Sequence, residues 1–171
     1  MFDWSIHIII AILIGLIVVN FVIQRTVVDG VSMEPTLHSG DNLWVEKISP
    51  RLVGLHRGDI VTINVPDKVG AEKNPLIKRI IAIENDTIVI RKGKVYINDK
   101  QQKEHYVLGN YTCDPLDPEN NNVTVMKGFV YVMGDNRQNS TDSRIIGPIE
   151  VSRIIGKAIF RIYPLNKIGF V

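Results

Sequence analysis

From Ile6 to Ile23 almost every position is apolar, interrupted only by His7 and Asn20 and flanked by Asp3 and Arg25. No polar stripe at a 3.6-residue period divides this run, so it does not read as a helix packing one face on a core. At 18 residues it sits at the lower limit for crossing a hydrocarbon layer, which is about 30 Å thick. A cleaved signal peptide, a retained membrane anchor and a buried core helix are the three readings. The start, Met1-Phe2-Asp3-Trp4, lacks the positive charge of a signal peptide, and the end, Asn20-Phe21-Val22-Ile23, lacks a small-residue cleavage site. The expectation is therefore one retained transmembrane helix. Its orientation is left open, because no Lys or Arg precedes it and only Arg25 closely follows.

Beyond the run the pattern changes to short stretches rich in Val, Ile and aromatics, separated by Gly, Asn, Asp and Pro. Strands are predicted at Asn42 to Ile48, Ile60 to Val65, Leu76 to Ile83, Thr87 to Arg91, Val95 to Ile97, Phe129 to Met133 and Ile154 to Ile162. Arg91-Lys92-Gly93-Lys94 and Asn98-Asp99 read as hairpin turns, and Gly109 to Asn122 as a flexible excursion. No long helical period, internal repeat or Gly-rich phosphate loop follows the apolar run. The expected organisation is a tail and transmembrane anchor over residues 1–24, then a mainly β catalytic domain over residues 25–171.

Length and composition narrow the function. A chain of 171 residues with 45% hydrophobic content supports one domain with a real core. The net charge of +2 is small and the cations are dispersed, so a nucleic-acid partner is not expected. One cysteine, Cys113, excludes an internal disulfide framework, and its Asn/Asp/Pro-rich surroundings read as those of an incidental thiol. His7, His38, His56 and His105 lack the spacing of a zinc site, so no metal and no cofactor is expected.

Three segments carry candidate chemistry. Gly134 to Arg144 packs charged, amide and hydroxyl side chains directly behind the apolar run Phe129 to Met133. It is either a polar network inside a site, where low dielectric demands that every member be satisfied, or a solvated Asn/Asp-rich turn. In Leu76 to Ile83, Lys78 and Arg79 stand on alternate faces of an otherwise apolar strand. A buried arginine keeps its charge and needs a carboxylate, whereas a buried lysine can become a neutral amine that accepts a proton from a serine. Asp135, Asp142 and Ser140 supply partners of both kinds. The third segment, Asp29 to Leu37, holds Ser32 between Gly30 and Pro35. Such a turn presents a hydroxyl and a backbone N–H, although Ser-x-x-Pro-Thr is also an ordinary turn sequence.

Taken in order, Ser32-Met33-Glu34-Pro35-Thr36-Leu37, Gly58-Asp59-Ile60-Val61, Lys78-Arg79-Ile80-Ile81 and Gly134 to Arg144 resemble the boxes of the type I signal peptidases over essentially the whole chain. The last box is highly specific. Lysine at position 78 resembles the prokaryotic branch, and the 56-residue step from Lys78 to Gly134 resembles compact Gram-positive members. The resemblance implies a signal-peptidase-like β-domain tethered at the cell membrane by a single pass, with the catalytic domain on the extracytoplasmic side. Its partners would be secretory preproteins and the lipid bilayer, and it would cut after Ala-x-Ala-type small residues. By the same resemblance Ser32 is the nucleophile and its N–H an oxyanion donor, Lys78 the general base, and Ser140 the group that orients the lysine. Met33 would lie at the substrate groove, and Arg79, Asp135, Asp142 and Arg144 would hold the loop by ion pairs. Gly30 departs from relatives that carry a serine there as a second oxyanion donor. Two other classes are open: a Ser/Lys self-cleaving regulator, whose DNA-binding segment is not seen, and a non-catalytic anchored β-domain that binds partners.

Overall fold

The Val- and Ile-rich stretches pair into two antiparallel sheets in the computed structural model, which describes residues 2–17, 22–65, 67, 75–109, 111–115 and 122–171. A helix, α1 (Phe2–Ile17), comes first. In chain order the strands are β1 (Ile23–Val27), β2 (Asn42–Glu46), β3 (Ile60–Ile63), β4 (Leu76–Ala82), β5 (Thr87–Arg91) and β6 (Lys94–Ile97). They continue with β7 (Lys100–Gln101), β8 (Asn122–Thr124), β9 (Phe129–Met133), β10 (Ile149–Glu150), β11 (Ile154–Tyr163) and β12 (Gly169–Phe170). The larger sheet has the order β1-β2-β11-β3-β4-β9-β10, with β12 on β11, and the smaller the order β7-β6-β5-β8.

The central strand organises the core. After Leu76 every residue of β4 is buried, as expected of a strand covered on both faces. Ile77 joins Met33, Leu37, Leu43 and Ile60 in one apolar cluster. Ile80 joins Val61, Ile63 and Val132 in a second. Ile81 and Ala82 join Ile88, Ile90 and Tyr131 in a third, which ties the smaller sheet to the larger. Lys78 and Arg79 are thus embedded in the best-packed strand of the domain.

Both predicted hairpins form. Lys92 and Gly93, and likewise Asn98 and Asp99, take positive φ, the left-handed pair that a two-residue hairpin turn requires. The predicted strands are present, two with the expected ends and the others with one end moved by one or two residues. β1, β7, β8, β10 and β12 were not predicted. Three of them have only two residues, too few to show a period, and β8 begins at Asn122, where the expected excursion ends. Much of that excursion, residues 110 and 116–121, lies outside the described residues.

The expected transmembrane anchor is overturned. Helix α1 has 16 residues, about 24 Å at 1.5 Å per residue against a hydrocarbon layer of about 30 Å. No helix among the described residues is long and apolar enough to cross a membrane. The physical reason lies at the end of the apolar run, where Ile23 opens β1 and pairs with Glu46 of β2. One hydrophobic stretch is divided between a helix and a strand edge, and residues 18–21 between them lie outside the described residues. The same finding removes the membrane tether from the fold, the lipid bilayer from the partners, and the single-pass placement at the cell membrane.

The core beneath the Ser32 turn is a stability determinant. Leu37 is 0% exposed and its N–H donates to the Met33 carbonyl at 2.9 Å. Leu37→Ala is expected to lower unfolding free energy by about 2 to 5 kcal/mol, measured as a reduced urea midpoint with an unchanged slope.

Candidate active site

The turn from Val31 to Leu37 is built from the inside. Met33 and Leu37, 1% and 0% exposed, anchor it in the apolar cluster, so Ser32 between them and Gly30 stays half-buried at the surface. Gly30 has φ +87°, a left-handed conformation that glycine adopts without strain. Ser32 Oγ lies 2.7 Å from Lys78 Nζ, a hydrogen-bond distance. Lys78 is 3% exposed. Its strand pairs with β3 from Leu76 to Arg79, whereas its ladder to β9 starts only at Arg79.

The segment Gly134 to Arg144 is the polar network and not a solvated turn. Asp135, wholly buried, receives Arg79 Nε at 2.9 Å and Nη2 at 2.7 Å, a bidentate pair. Thr36 Oγ1 donates to the same carboxylate, and Arg79 also donates to the Gly58 carbonyl at 2.9 Å. The Tyr106 ring covers the Arg79 guanidinium, with its centroid 4.1 Å from Cζ. Asp142, also wholly buried, accepts from Arg144 Nε and Nη2, both at 2.8 Å, and from the Gly134 N–H at 3.0 Å. Burial pushes the Asp142 carboxyl up, but the hydrogen bonds and charge of Arg144 outweigh it and hold the group below the ordinary carboxylate range.

Two residues of this segment grip the serine directly. The Asn136 N–H donates to the Ser32 carbonyl at 3.0 Å, and its side-chain Nδ2 donates to the Val31 carbonyl at 3.2 Å. At Gly134 any Cβ would overlap the Ser32 carbonyl and Ser140 Oγ, so the close approach requires glycine there. Ser140 Oγ is buried. It lies near enough to help lower the Asp142 pKa, yet makes no hydrogen bond of good geometry among the described residues.

Every candidate residue from the sequence converges here except that Met33 lies in the core below the turn, with no open surface of its own. The structure adds residues that the sequence reading missed. Arg137, 1% exposed, donates to the Gly134 carbonyl at 3.0 Å, to Thr112 at 2.7 Å and to Glu104 at 2.6 Å, and Arg144 donates to its carbonyl at 2.6 Å. Tyr106 donates to Glu104 at 3.0 Å. Arg137 was recognisable as a third cation within the polar segment, whereas Glu104, Tyr106 and Thr112 carry no sequence signal. Among the described residues no group of three or more His, Cys, Asp and Glu side chains is placed to hold a metal ion.

The family model for signal peptidase, peptidase S26, matches residues 1–163. The chain belongs to the signal peptidase I family. It is 39% identical to signal peptidase I of Bacillus licheniformis over 98% of this chain and 91% of that one. It is 37% identical to signal peptidase I T of Bacillus subtilis (strain 168), over 96% and 86%. Among solved structures, signal peptidase I of Enterococcus faecalis V583 is similar with a TM-score of 0.51 and 28% identity, covering 60% of this chain and 95% of that one. Membership of the signal peptidase I family makes the chain a serine endopeptidase.

The buried Asp142–Arg144 pair predicts a pH-dependent stability. Because the folded pKa of Asp142 is depressed, its stabilisation is fully present above the unfolded carboxyl pKa of about 3.9 and is lost as pH falls through the folded value. Arg144→Ala is expected to lose about 3 to 5 kcal/mol at pH 7 through the unpaired carboxylate. Urea titrations from pH 7 to pH 3 should show the gap to wild type narrowing as acid neutralises Asp142. A gap that stays constant over that range would mean that the carboxylate charge is not what Arg144 compensates.

Proposed function

We propose that this serine endopeptidase removes N-terminal signal peptides from secretory preproteins, with Ser32 as nucleophile and Lys78 as general base. The observation that carries the proposal is the 2.7 Å approach of Lys78 Nζ to Ser32 Oγ, with the lysine buried at 3% exposure. A serine hydroxyl is a weak nucleophile until a base lies within hydrogen-bond reach. Burial in an apolar strand favours the neutral amine that can serve as that base.

The reaction follows from the positions of these groups. The Ser32 Oγ–H proton passes to Lys78 Nζ as Oγ bonds the scissile carbonyl carbon, and the negative charge moves to the carbonyl oxygen, which the Ser32 N–H stabilises. The C–N bond breaks as the Lys78 ammonium returns the proton to the leaving amine. Water, losing a proton to Lys78, then attacks the acyl-enzyme ester, and the release of Ser32 restores the starting state.

The substrate lies extended beside β4 on the side away from β3, adding a strand there ahead of the β9 ladder that begins at Arg79. Small residues of the Ala-x-Ala type precede the cut, and Met33 supports the groove from beneath. Arg79 with Asp135, and Arg144 with Asp142, hold the loop, while Ser140 orients the Lys78 amine.

Ser32→Ala and Lys78→Ala are each expected to reduce cleavage of a purified preprotein by more than about a thousandfold, and the double variant to be no worse. A partner-binding domain with no catalysis predicts no dependence on either residue, and substantial turnover in one single variant would end the dyad assignment. The charge state has its own test. Lys78→Met should be inactive yet more stable than wild type at neutral pH, and Lys78→Arg inactive and less stable, because arginine forces a permanent charge into the strand. If Lys78→Met is the least stable of the three in denaturant, the lysine is a charged structural partner and not a base.

A further inference from the structure

The Ser32 N–H and the Val31 carbonyl belong to one planar trans peptide unit, so they point in opposite directions and move together. The Ser32 N–H has no backbone acceptor among the described residues. The Val31 carbonyl, at the other end of the unit, accepts from Asn136 Nδ2 at 3.2 Å, and the next carbonyl, that of Ser32, accepts from the Asn136 backbone at 3.0 Å. One residue therefore holds the carbonyls on both sides of the Ser32 N–H. Only the amide NH2 end of Asn136 can satisfy a carbonyl, so its orientation is fixed by chemistry.

We propose that Asn136 is a positioning residue for oxyanion stabilisation, acting through the Val31–Ser32 peptide. This rests on the assignment of Ser32 as nucleophile and of its N–H as oxyanion donor. A hydrogen bond to the carbonyl end polarises the peptide and strengthens its N–H as a donor, by about 10 to 30% per bond in chains of hydrogen bonds. It also stops the peptide plane from rotating, and a donor that needs no reorganisation at the moment of reaction stabilises developing charge best. The need is greater here because Gly30 carries no side chain to contribute a second donor. The loop that presents Asn136 is held by the Asp135–Arg79 pair immediately before it.

The test compares Asn136→Ala and Asn136→Asp with wild type on one preprotein-derived peptide, together with the affinity of a peptide aldehyde, whose adduct with serine carries the oxyanion. Asn136→Ala is expected to lower kcat about ten- to a hundredfold, leave KM within about threefold, weaken the aldehyde in parallel with kcat/KM, and leave the urea midpoint unchanged. Asn136→Asp is expected to lose more activity than Asn136→Ala, because a carboxylate facing the Val31 carbonyl repels it. A space-filling role gives the opposite order, since Asp is the closer match in shape, and that order would overturn the proposal. An effect confined to KM would overturn it as well. Full recovery of Asn136→Asp at alkaline pH would assign its defect to protonation of Lys78 and remove this variant's support, leaving Asn136→Ala and the aldehyde affinity to decide. Ser32→Ala separates the two levels: if it is inactive while both Asn136 variants match wild type, only this inference falls, whereas an active Ser32→Ala would remove the underlying assignment.

Discussion

The bidentate pair between Arg79 and Asp135 is the constraint on which the site depends. Asp135 has no solvent contact and a guanidinium cannot shed its proton, so neither charge tolerates removal of the other. Arg79 follows Lys78 on the central strand. The residues on either side of Asp135 both touch the Ser32 turn, Gly134 by close packing and Asn136 by two hydrogen bonds. One ion pair thereby sets the position of the serine segment relative to the strand that carries the lysine. Thr36 of the same turn, together with Gly58 and Tyr106 from two further segments, completes its coordination.

Arg137 performs a related task at a second level. It is the most deeply buried cation among the described residues and draws Glu104 and Thr112 onto the Gly134 carbonyl. Glu104 also accepts from Tyr106, whose ring covers Arg79. The smaller sheet's connections are thus part of the electrostatic support of the Gly134 to Arg144 segment. Burial, aided by the neighbouring Glu104 charge, pushes the Tyr106 phenol well above its ordinary range, so it remains a neutral donor at all physiological pH values.

Much of this arrangement was legible in the residues because it depends on local density of unusual types. Two cations on an apolar strand demand partners, and a polar segment after a buried strand supplies them, so Lys78, Arg79, Asp135, Asp142 and Ser140 could be named together, whereas Arg144 was named through the family resemblance. Strand positions followed from runs of Val and Ile, and the hairpins from Lys-Gly and Asn-Asp pairs. Glu104, Tyr106 and Thr112 could not be found this way, since each sits among ordinary polar neighbours and gains its role only when the sheets close. The apolar run from Ile6 to Ile23 shows the complementary limit. Hydrophobicity says that residues avoid water but not where a helix gives way to a strand, and Ile23 is claimed by its pairing with Glu46.

The separation along the chain of the groups that meet at the candidate site has a consequence for the order in which the site is assembled. Ser32 and Lys78 are 46 residues apart, Arg79 and Asp135 are 56 apart, and Thr36 reaches Asp135 across 99. Contacts of such range form only after the loops between them have closed, which makes them late events in folding. A chain leaving the ribosome holds its serine more than a hundred residues before Asp135 and Asn136, which contact the serine turn. The proposed pairing of Ser32 with Lys78 is therefore assembled only as the tertiary structure is completed.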